Sequence, residues 1–475
     1  MRLLLPLILL SATLANGEEA SRLDALLERA RPVLDGVDAA PAPVAATPSG
    51  EPLQLDAATS VAMALKQNAQ IAISDEDLSQ AEAKVGQAQS LRKPQVTSQV
   101  GVTYIDGIEA IGTSSPLLES LIGIGDLQPD KTIARGTVSV EQVLYAGGQI
   151  AAGIRASQYL AQSASWKREV TRAQVALETT QAYQDAVMTQ ALIEVAHDSI
   201  GAFERHREDA QHAVDVGFAS RIVLLRADTE LQARQADVVS AETAHRIALL
   251  NLKRLIGAPE AQPVVLSGES IWNPDSTTLD ALIAQAQAQR AELRALDSGI
   301  AAAEQNVRAK RGEYRPRAAA SAQWQESVGS GTLQPDGFSA QAGLEWQIYA
   351  GGKRKHTVAE AQSQLRSIQK QREDVARLVE LDVRQAQLRV SEAIEKIRRD
   401  KGTLTLAEEG LRLAQVRFRE GVGTQTEVLD ASLARSQAQT KIVQALRDHA
   451  VAVAALQKAA GTLVAPEAEE ASETQ

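Results

Sequence analysis

A mainly helical chain that carries a small membrane β-sheet, written twice as helix, strand, strand, helix, is the fold class this sequence predicts. Three observations predict it: a shortage of large side chains, an internal displacement of fixed length, and a change of hydrophobic period within each copy. The chain has 475 residues but only 3% are aromatic, with four Phe, four Trp and six Tyr. A compact core of that size would lack the side chains that usually contribute most buried area. The 44% counted as hydrophobic is rich in Ala and is accompanied by much Gln, Glu and Arg, residue types that favour helix. Long helices with thin seams fit that composition better than a thick core. A net charge of -11 argues against nucleic acid as a partner, because little here would release counterions from phosphate. The absence of Cys excludes disulfides, thiolate metal sites, Cys catalysis and lipidation on an N-terminal Cys.

In chain order, Arg2 followed by the apolar run Leu3–Leu10 and the small residues of Ser11–Ala15 predicts a secretory signal over residues 1–15. That run is too short to span a bilayer, and no later stretch reaches the roughly 18 apolar residues a membrane helix needs. Residues 16–52, with Pro41, Pro43, Pro48 and Pro52 among Ala and Val, read as a linker.

Beyond the linker the chain is duplicated. LYAGG at Leu144–Gly148 recurs as IYAGG at Ile348–Gly352, so Tyr145 falls on Tyr349, 204 residues on. Gly217 falls on Gly421, Leu225 on Leu429, Ala227 on Ala431 and Gly257 on Gly461 at the same displacement. Upstream the displacement is 222, with Ala69, Glu82, Val85 and Pro94 falling on Ala291, Glu304, Val307 and Pro316. The 18 extra residues lie between Pro94 and Tyr145. A period this long is that of a duplicated domain rather than a solenoid unit.

The first copy is expected over residues 53–258 and the second over 291–462, with an equatorial connector at 259–290 and an acidic tail at 463–475. Proline is absent from Gln149 to Ala258 and from Asp336 to Ala465, which predicts long helices at about 148–214, 220–256, 352–419 and 424–460. Gly217, and Gly421 with Gly423, supply the turns between them, and Ser220 or Thr424 can cap the returning helix. A shorter helix before Pro94 or Pro316 extends the returning one to match the long helix.

Between the helices the period drops to two. Val96, Ser98, Val100, Val102 and Tyr104 alternate with Gln95, Thr97, Gln99, Gly101 and Thr103. Ala134, Gly136, Val138, Val140 and Leu144 alternate with Arg135, Thr137, Ser139 and Glu141. Strands are therefore expected at about 95–105 and 132–144, and again at about 317–328 and 338–348. Their length, apolar-out alternation and aromatic residues suit a membrane β-barrel, with Tyr104, Trp324, Phe338 and Trp346 as a lipid-facing belt. An ordinary sandwich strand with one wet face is the alternative reading of the same pattern. Four strands cannot close a barrel, and an open edge in lipid leaves backbone groups unpaired, so oligomerisation is expected. Two copies are the minimum and three give twelve strands. The extra residues fall in the hairpin loop Asp106–Lys131, which this reading places outside the cell.

A duplicated chain with LYAGG, IYAGG and REGVGTQTEVLDA at Arg419–Ala431 resembles the TolC-like outer-membrane efflux channel family over about residues 53–462. The resemblance implies a homotrimer in the outer membrane of a Gram-negative bacterium: a 12-stranded β-barrel continued into the periplasm by a long α-helical barrel. It implies a passive exit duct for efflux or type I secretion, coupled through a periplasmic adaptor to an inner-membrane transporter. The family's two periplasmic tip turns match Val216, Gly217, Phe218, Ala219 and Ser220, and Gly421, Val422, Gly423 and Thr424, as adaptor-docking residues. The aspartates that narrow the tip in some members are not carried over, because the positions here are Leu411 and Ala414. Asp209, Asp215, Glu408 and Glu409 are the candidates for an acidic pore constriction selecting cations, beside the plainer reading of charges on a solvated helix.

An enzyme is not expected. HExxH, GxSxG and a phosphate loop are absent, and His206 and His212 are six apart rather than the four that would stack two metal ligands. No cofactor is called for. The competing function is a periplasmic coiled-coil adaptor or structural protein, which would carry one heptad hairpin flanked by compact β domains.

Overall fold

The computed structural model describes residues 51–104, 132–217, 219–267, 278–328 and 336–464. The expected signal, most of the linker, the loop from 106 to 131, Phe218, the connector around Trp272 and the tail from 465 onward lie outside the described residues.

Each copy opens with two short helices, α1 (Ala57–Gln67) and α2 (Ala69–Ser90) in the first, α5 (Leu279–Gln289) and α6 (Ala291–Gly312) in the second. Two strands come next, β2 (Gln95–Tyr104) and β3 (Thr132–Ala146), or β5 (Arg317–Val328) and β6 (Gly337–Glu345). Then come a long helix and a returning one, α3 (Gln149–Asp215) with α4 (Arg221–Ile256), and α7 (Lys353–Arg419) with α8 (Gln425–Ala460). Both long helices have 67 residues, about 100 Å at 1.5 Å per residue, and both returning helices have 36. A two-stranded parallel sheet pairs β1 (Leu53–Leu55) with β4 (Val264–Leu266).

Corresponding helices match in length and offset, so the duplication can be traced contact by contact. It also begins earlier than Ala291: α5, inside the stretch read as connector, lies 222 residues after α1 and has the same length, 11 residues. Asn68 breaks α1 from α2 in an extended conformation, and its side-chain amide donates to the Leu255 carbonyl at 2.9 Å. Arg290, the counterpart, donates to the Ala459 carbonyl at 3.3 Å, and Ala459 is Leu255 displaced by 204. The buried clusters repeat likewise. Ala64, Ile71, Val175 and Leu252 in one correspond to Ala286, Leu293, Val379 and Leu456 in the other. Asp75 pairs with Arg168, and Asp297 with Arg372 at 2.9 Å. Each cluster mixes Ala with a few larger side chains, which lets helix axes approach closely and explains how few aromatics the chain requires.

The four strands form one antiparallel sheet in the order β2-β3-β5-β6, with β2 and β6 as its edges. Two details differ from the alternation read off the sequence. A bulge between Val143 and Tyr145 leaves Leu144 outside the register, so Tyr145 rather than Leu144 pairs with Ala318 on the apolar face. The fourth strand ends at Glu345, so Trp346 and Ile348 lie beyond the ladder, and the Trp346 indole donates to the Tyr314 carbonyl at 3.1 Å.

Strand passes to helix through paired glycines in the left-handed region, Gly147 and Gly148 before α3 and Gly351 and Gly352 before α7. LYAGG and IYAGG are therefore the corners at which the sheet turns into the helical bundle. No described helix is long and apolar enough to cross a membrane.

Candidate functional site

The sequence-predicted site residues lie on the sheet and at the far end of the helices. Register decides the first. One face carries the row Val96, Val140, Ala322 and Ala340, the row Ser98, Val138, Trp324 and Phe338, and the row Val102, Ala134 and Val328. The other carries Thr97, Ser139, Gln323 and Ser339, then Gln99, Thr137 and Gln325, then Gly101, Arg135 and Ser327. The apolar face bears Glu326, beside Gly136 toward the loop end. The large side chains of this face, Val100, Val102, Trp324, Val328 and Phe338 among them, are exposed in the single chain. Such a face needs an apolar environment or a partner.

Of the four residues expected to form a belt, Trp324 and Phe338 are cross-strand neighbours. Tyr104 stands at the loop end opposite Thr132, and Trp346 at the helix end. The ten residues of β2 set the two ends about 30 Å apart, the thickness of a hydrocarbon core.

At the far end α3 closes onto α4 through Gly217 (φ 79°), with the Ala219 amide donating to the Ala213 carbonyl at 3.0 Å. The second turn uses Gly421 (φ 76°) for the same purpose. Gly423 serves a different one: a Cβ there would sit 2.9 Å from Arg417 Cβ and 3.0 Å from the Phe418 nitrogen. Thr424 caps α8 by accepting from the Glu427 amide at 3.3 Å, whereas Ser220 makes no side-chain cap bond. The capping expectation therefore holds for one turn only. The Gln425 amide donates to the Val223 carbonyl at 3.4 Å and ties the two turns together. Behind them Phe203, Ile222 and Leu225 face Thr426, Leu429 and Leu433 across an open groove.

The four acidic candidates do not form one cluster. Asp215 ends α3 and accepts from Gln211 at 2.7 Å; Asp209 is exposed six residues earlier. Glu409 is held by Arg412 through two bonds of 2.6 and 2.7 Å. In the duplicated frame Glu408 lies about 16 Å further from the tip than Asp215, and of the four only Glu408 has a carboxylate counterpart, Glu204. Leu411 and Ala414 are buried with Val428 in the α7–α8 seam.

The environment of His206 is not visible in the sequence. It is buried between α3 and α7 with its ring centroid 6.0 Å from that of Phe418, and its Nε2 makes no hydrogen bond among the described residues. Desolvation holds its pKa below the usual histidine value, while Asp209 opposes the shift. A depressed pKa means that the folded form binds fewer protons than the unfolded chain. The contribution to stability is therefore complete above pH 6.5 and is lost as pH falls through the unfolded value toward the folded one. The expected result is that the wild-type protein loses more heat resistance between pH 7.5 and pH 5.5 than His206→Leu does, measured as the denaturation midpoint in detergent; equal losses would show that His206 is not responsible. A lone buried histidine on a helix carries no distinguishing sequence pattern, so no local signal could have found it.

Among the described residues no group of His, Cys, Asp or Glu is arranged to hold a metal ion.

Residues 282–462 match the family described as outer membrane efflux protein. Over 402 residues the chain is 25% identical to the outer membrane efflux protein BepC of Brucella suis biovar 1 (strain 1330), covering 78% of this chain and 83% of that one. Among solved structures, the outer membrane protein VceC of Vibrio cholerae superposes with a TM-score of 0.68 at 16% identity, covering 85% of this chain and 96% of the other. The Campylobacter jejuni outer membrane channel CmeC superposes with a TM-score of 0.69 at 14% identity, covering 86% of each. The resemblance carried by the repeated tyrosine-glycine motif is borne out at the level of fold.

Proposed function

Because the chain is TolC-like in sequence and fold, we propose that it is the outer-membrane exit duct of a tripartite efflux or type I secretion system. The observation that carries this reading is a single amphipathic sheet with two open edges that turns directly, at glycine corners, into helices about 100 Å long. β2 and β6 run in opposite senses, so the β6 edge of one copy can pair antiparallel with the β2 edge of the next, which closes a barrel from repeated copies. Three copies give twelve strands, enough for an open lumen. On this reading the protein is a homotrimer of a Gram-negative outer membrane, extends into the periplasm, and acts as a passive channel rather than an enzyme. Its apolar sheet face, with Tyr104, Trp324, Phe338 and Trp346, meets lipid.

The turns at Val216–Ser220 and Gly421–Thr424 are the points at which a periplasmic adaptor would dock, and the groove behind them offers its helices apolar contact. Asp209, Asp215, Glu408 and Glu409 remain candidates for lining the narrow end. An inner-membrane transporter would supply the energy. The test is fractionation and then electrophysiology. A detergent-dependent trimer recovered from outer membranes, giving steady ion conductance in planar bilayers, is the expected result. A monomer soluble without detergent would overturn the duct and favour the periplasmic adaptor.

A further inference from the structure

At the corner where the sheet turns into helices, one cleft is basic throughout. It lies within a single chain, between the start of α3 and the end of α6, and has a volume of about 350 Å³. Arg155, Arg308, Arg311 and Arg315 line it beside Gly147 and Gly148, and no carboxylate stands in its wall. All four arginines are exposed, and none has an ion pair among the described residues. Glu313, the one acid between Arg308 and Arg317, pairs with Lys310 at 3.5 Å instead. The helix end adds to the field: α3 begins at Gly148 with no side-chain cap, so the N–H groups of its first turn carry partial positive charge beside the arginines.

The cluster is not a by-product of helix composition, because the chain as a whole has a net charge of -11 and the duplication does not repeat it. The counterparts of Arg155, Arg308 and Arg311 are Ala359, Gly86 and Gln89; only Arg315 has a basic one, Lys93.

Depth and facing identify the ligand. Arg315 stands two residues before β5, and Arg155 and Arg308 lie within about 10 Å of the corner along their helices. With the sheet filling the hydrocarbon core, the cleft opens at the depth of the headgroups on the helix side. Arg155 shares a face of α3 with Ala173 and Thr180, about five and seven turns further on. Ala173 lines one cleft with Gly461–Val464, and Thr180 lines another with Asp56 and Ser267. In a duct these crossing segments lie on the outer wall, since the lumen stays open. Arg155 therefore faces lipid rather than cargo.

We propose that this cleft binds the phosphate of an anionic phospholipid in the periplasmic leaflet of the outer membrane, held by Arg308, Arg311 and Arg315 of α6 and Arg155 of α3. The proposal rests on the duct reading above and deepens it by naming a lipid partner and the depth at which the chain sits. Guanidinium groups bind phosphate oxygens through paired N–H donors, and their aliphatic stems carry the charge up to a headgroup from a helix just below it. An amine-bearing headgroup finds no carboxylate here, so a net negative headgroup is preferred to a zwitterionic one. The bound phosphate neutralises like charges that otherwise repel across the α3–α6 seam, and so stabilises the corner.

The test uses three probes, phosphatidylglycerol, phosphatidylethanolamine and inorganic phosphate, each added at the same concentration to the whole protein in a non-ionic detergent. The denaturation midpoint is the readout. Phosphatidylglycerol is expected to raise it more than phosphatidylethanolamine does, and inorganic phosphate to leave it unchanged. The triple variant Arg308→Gln, Arg311→Gln, Arg315→Gln is expected to lose most of that rise. Removing as much charge from exposed positions on α7, as Arg389→Gln, Arg399→Gln, Lys401→Gln, is expected to preserve it. Absence of a phosphatidylglycerol preference in the wild-type protein overturns the proposal without recourse to any variant. Equal losses in the two triple variants overturn it too, as general charge attraction, and an equal rise with inorganic phosphate makes the cleft a free-anion site. Each of these leaves the duct reading standing, whereas protein that is monomeric and soluble without detergent overturns both.

Discussion

Val138→Arg is expected to abolish recovery of the protein from the outer-membrane fraction, while Thr137→Arg, one residue away, is expected to leave it there with altered ion selectivity. Val138 lies mid-sheet between Ser98 and Trp324 on the apolar face; Thr137 lies between Gln99 and Gln325 on the polar one. An arginine facing lipid near the bilayer midplane costs about 2–4 kcal/mol per strand, and a ring of copies multiplies the cost. On the polar face the same side chain stays hydrated and adds positive charge to the lumen, which disfavours cations. Immunoblots of fractionated membranes read the first effect and reversal potentials in a salt gradient the second. The reverse outcome, with Val138→Arg tolerated and Thr137→Arg excluded, would mean that the sheet is inside out. If both were tolerated, the sheet would not be in lipid.

The second large effect concerns the repeated glycines. Gly147 and Gly351 occupy the same place in LYAGG and IYAGG and have nearly the same backbone, φ 62° and φ 59°. Alanine at Gly351 meets nothing within 4 Å, so its cost is the left-handed conformation alone, about 1–2 kcal/mol. Alanine at Gly147 would place Cβ 2.4 Å from the Gly312 carbonyl oxygen and 2.9 Å from Arg315 Cβ. Gly312 cannot yield readily, since its own Cα faces the Gly147 oxygen and Gln149. Overpacking adds about 1–3 kcal/mol to the same backbone strain. Gly147→Ala is therefore expected to lower the denaturation midpoint in detergent clearly more than Gly351→Ala. Equal shifts would show that the corner relaxes and that only backbone conformation matters there.

The two corners differ because of the packing of α6. This helix lies against α3 as well as α7, and its end reaches Gly147. Its counterpart α2 makes no comparable packing against α7 inside the chain.

Much of this protein is legible before any coordinate is known. Helix and strand are readable because each is a local period, 3.6 or 2, repeated over enough residues to outweigh chance. The absence of proline over more than a hundred residues, the alternation from Gln95 to Tyr104 and the glycines at 217 and 421 are features of neighbouring residues. The duplication is readable because a displacement of 204 survives in the spacing of a few glycines and leucines. The candidate site is less legible. The turns can be found from their glycines, but that Gly423 serves close approach to Arg417 and not a positive φ cannot. The burial of His206 and the groove beside it arise from residues about two hundred positions apart.

The sequence by itself determined the kinds of element, their order, their lengths to within a few residues and the fact of repetition. Tertiary structure alone decided which strands pair and in what register, so that Val138 lies between Ser98 and Trp324, the bulge that substitutes Tyr145 for Leu144, the contact of His206 with Phe418 and the close approach at Gly423. The physical reason is that a period is fixed by bonds along the chain, whereas a contact is fixed by what lies opposite. In a duplicated chain each helix has two possible neighbours with nearly the same sequence, and one of them can belong to another molecule.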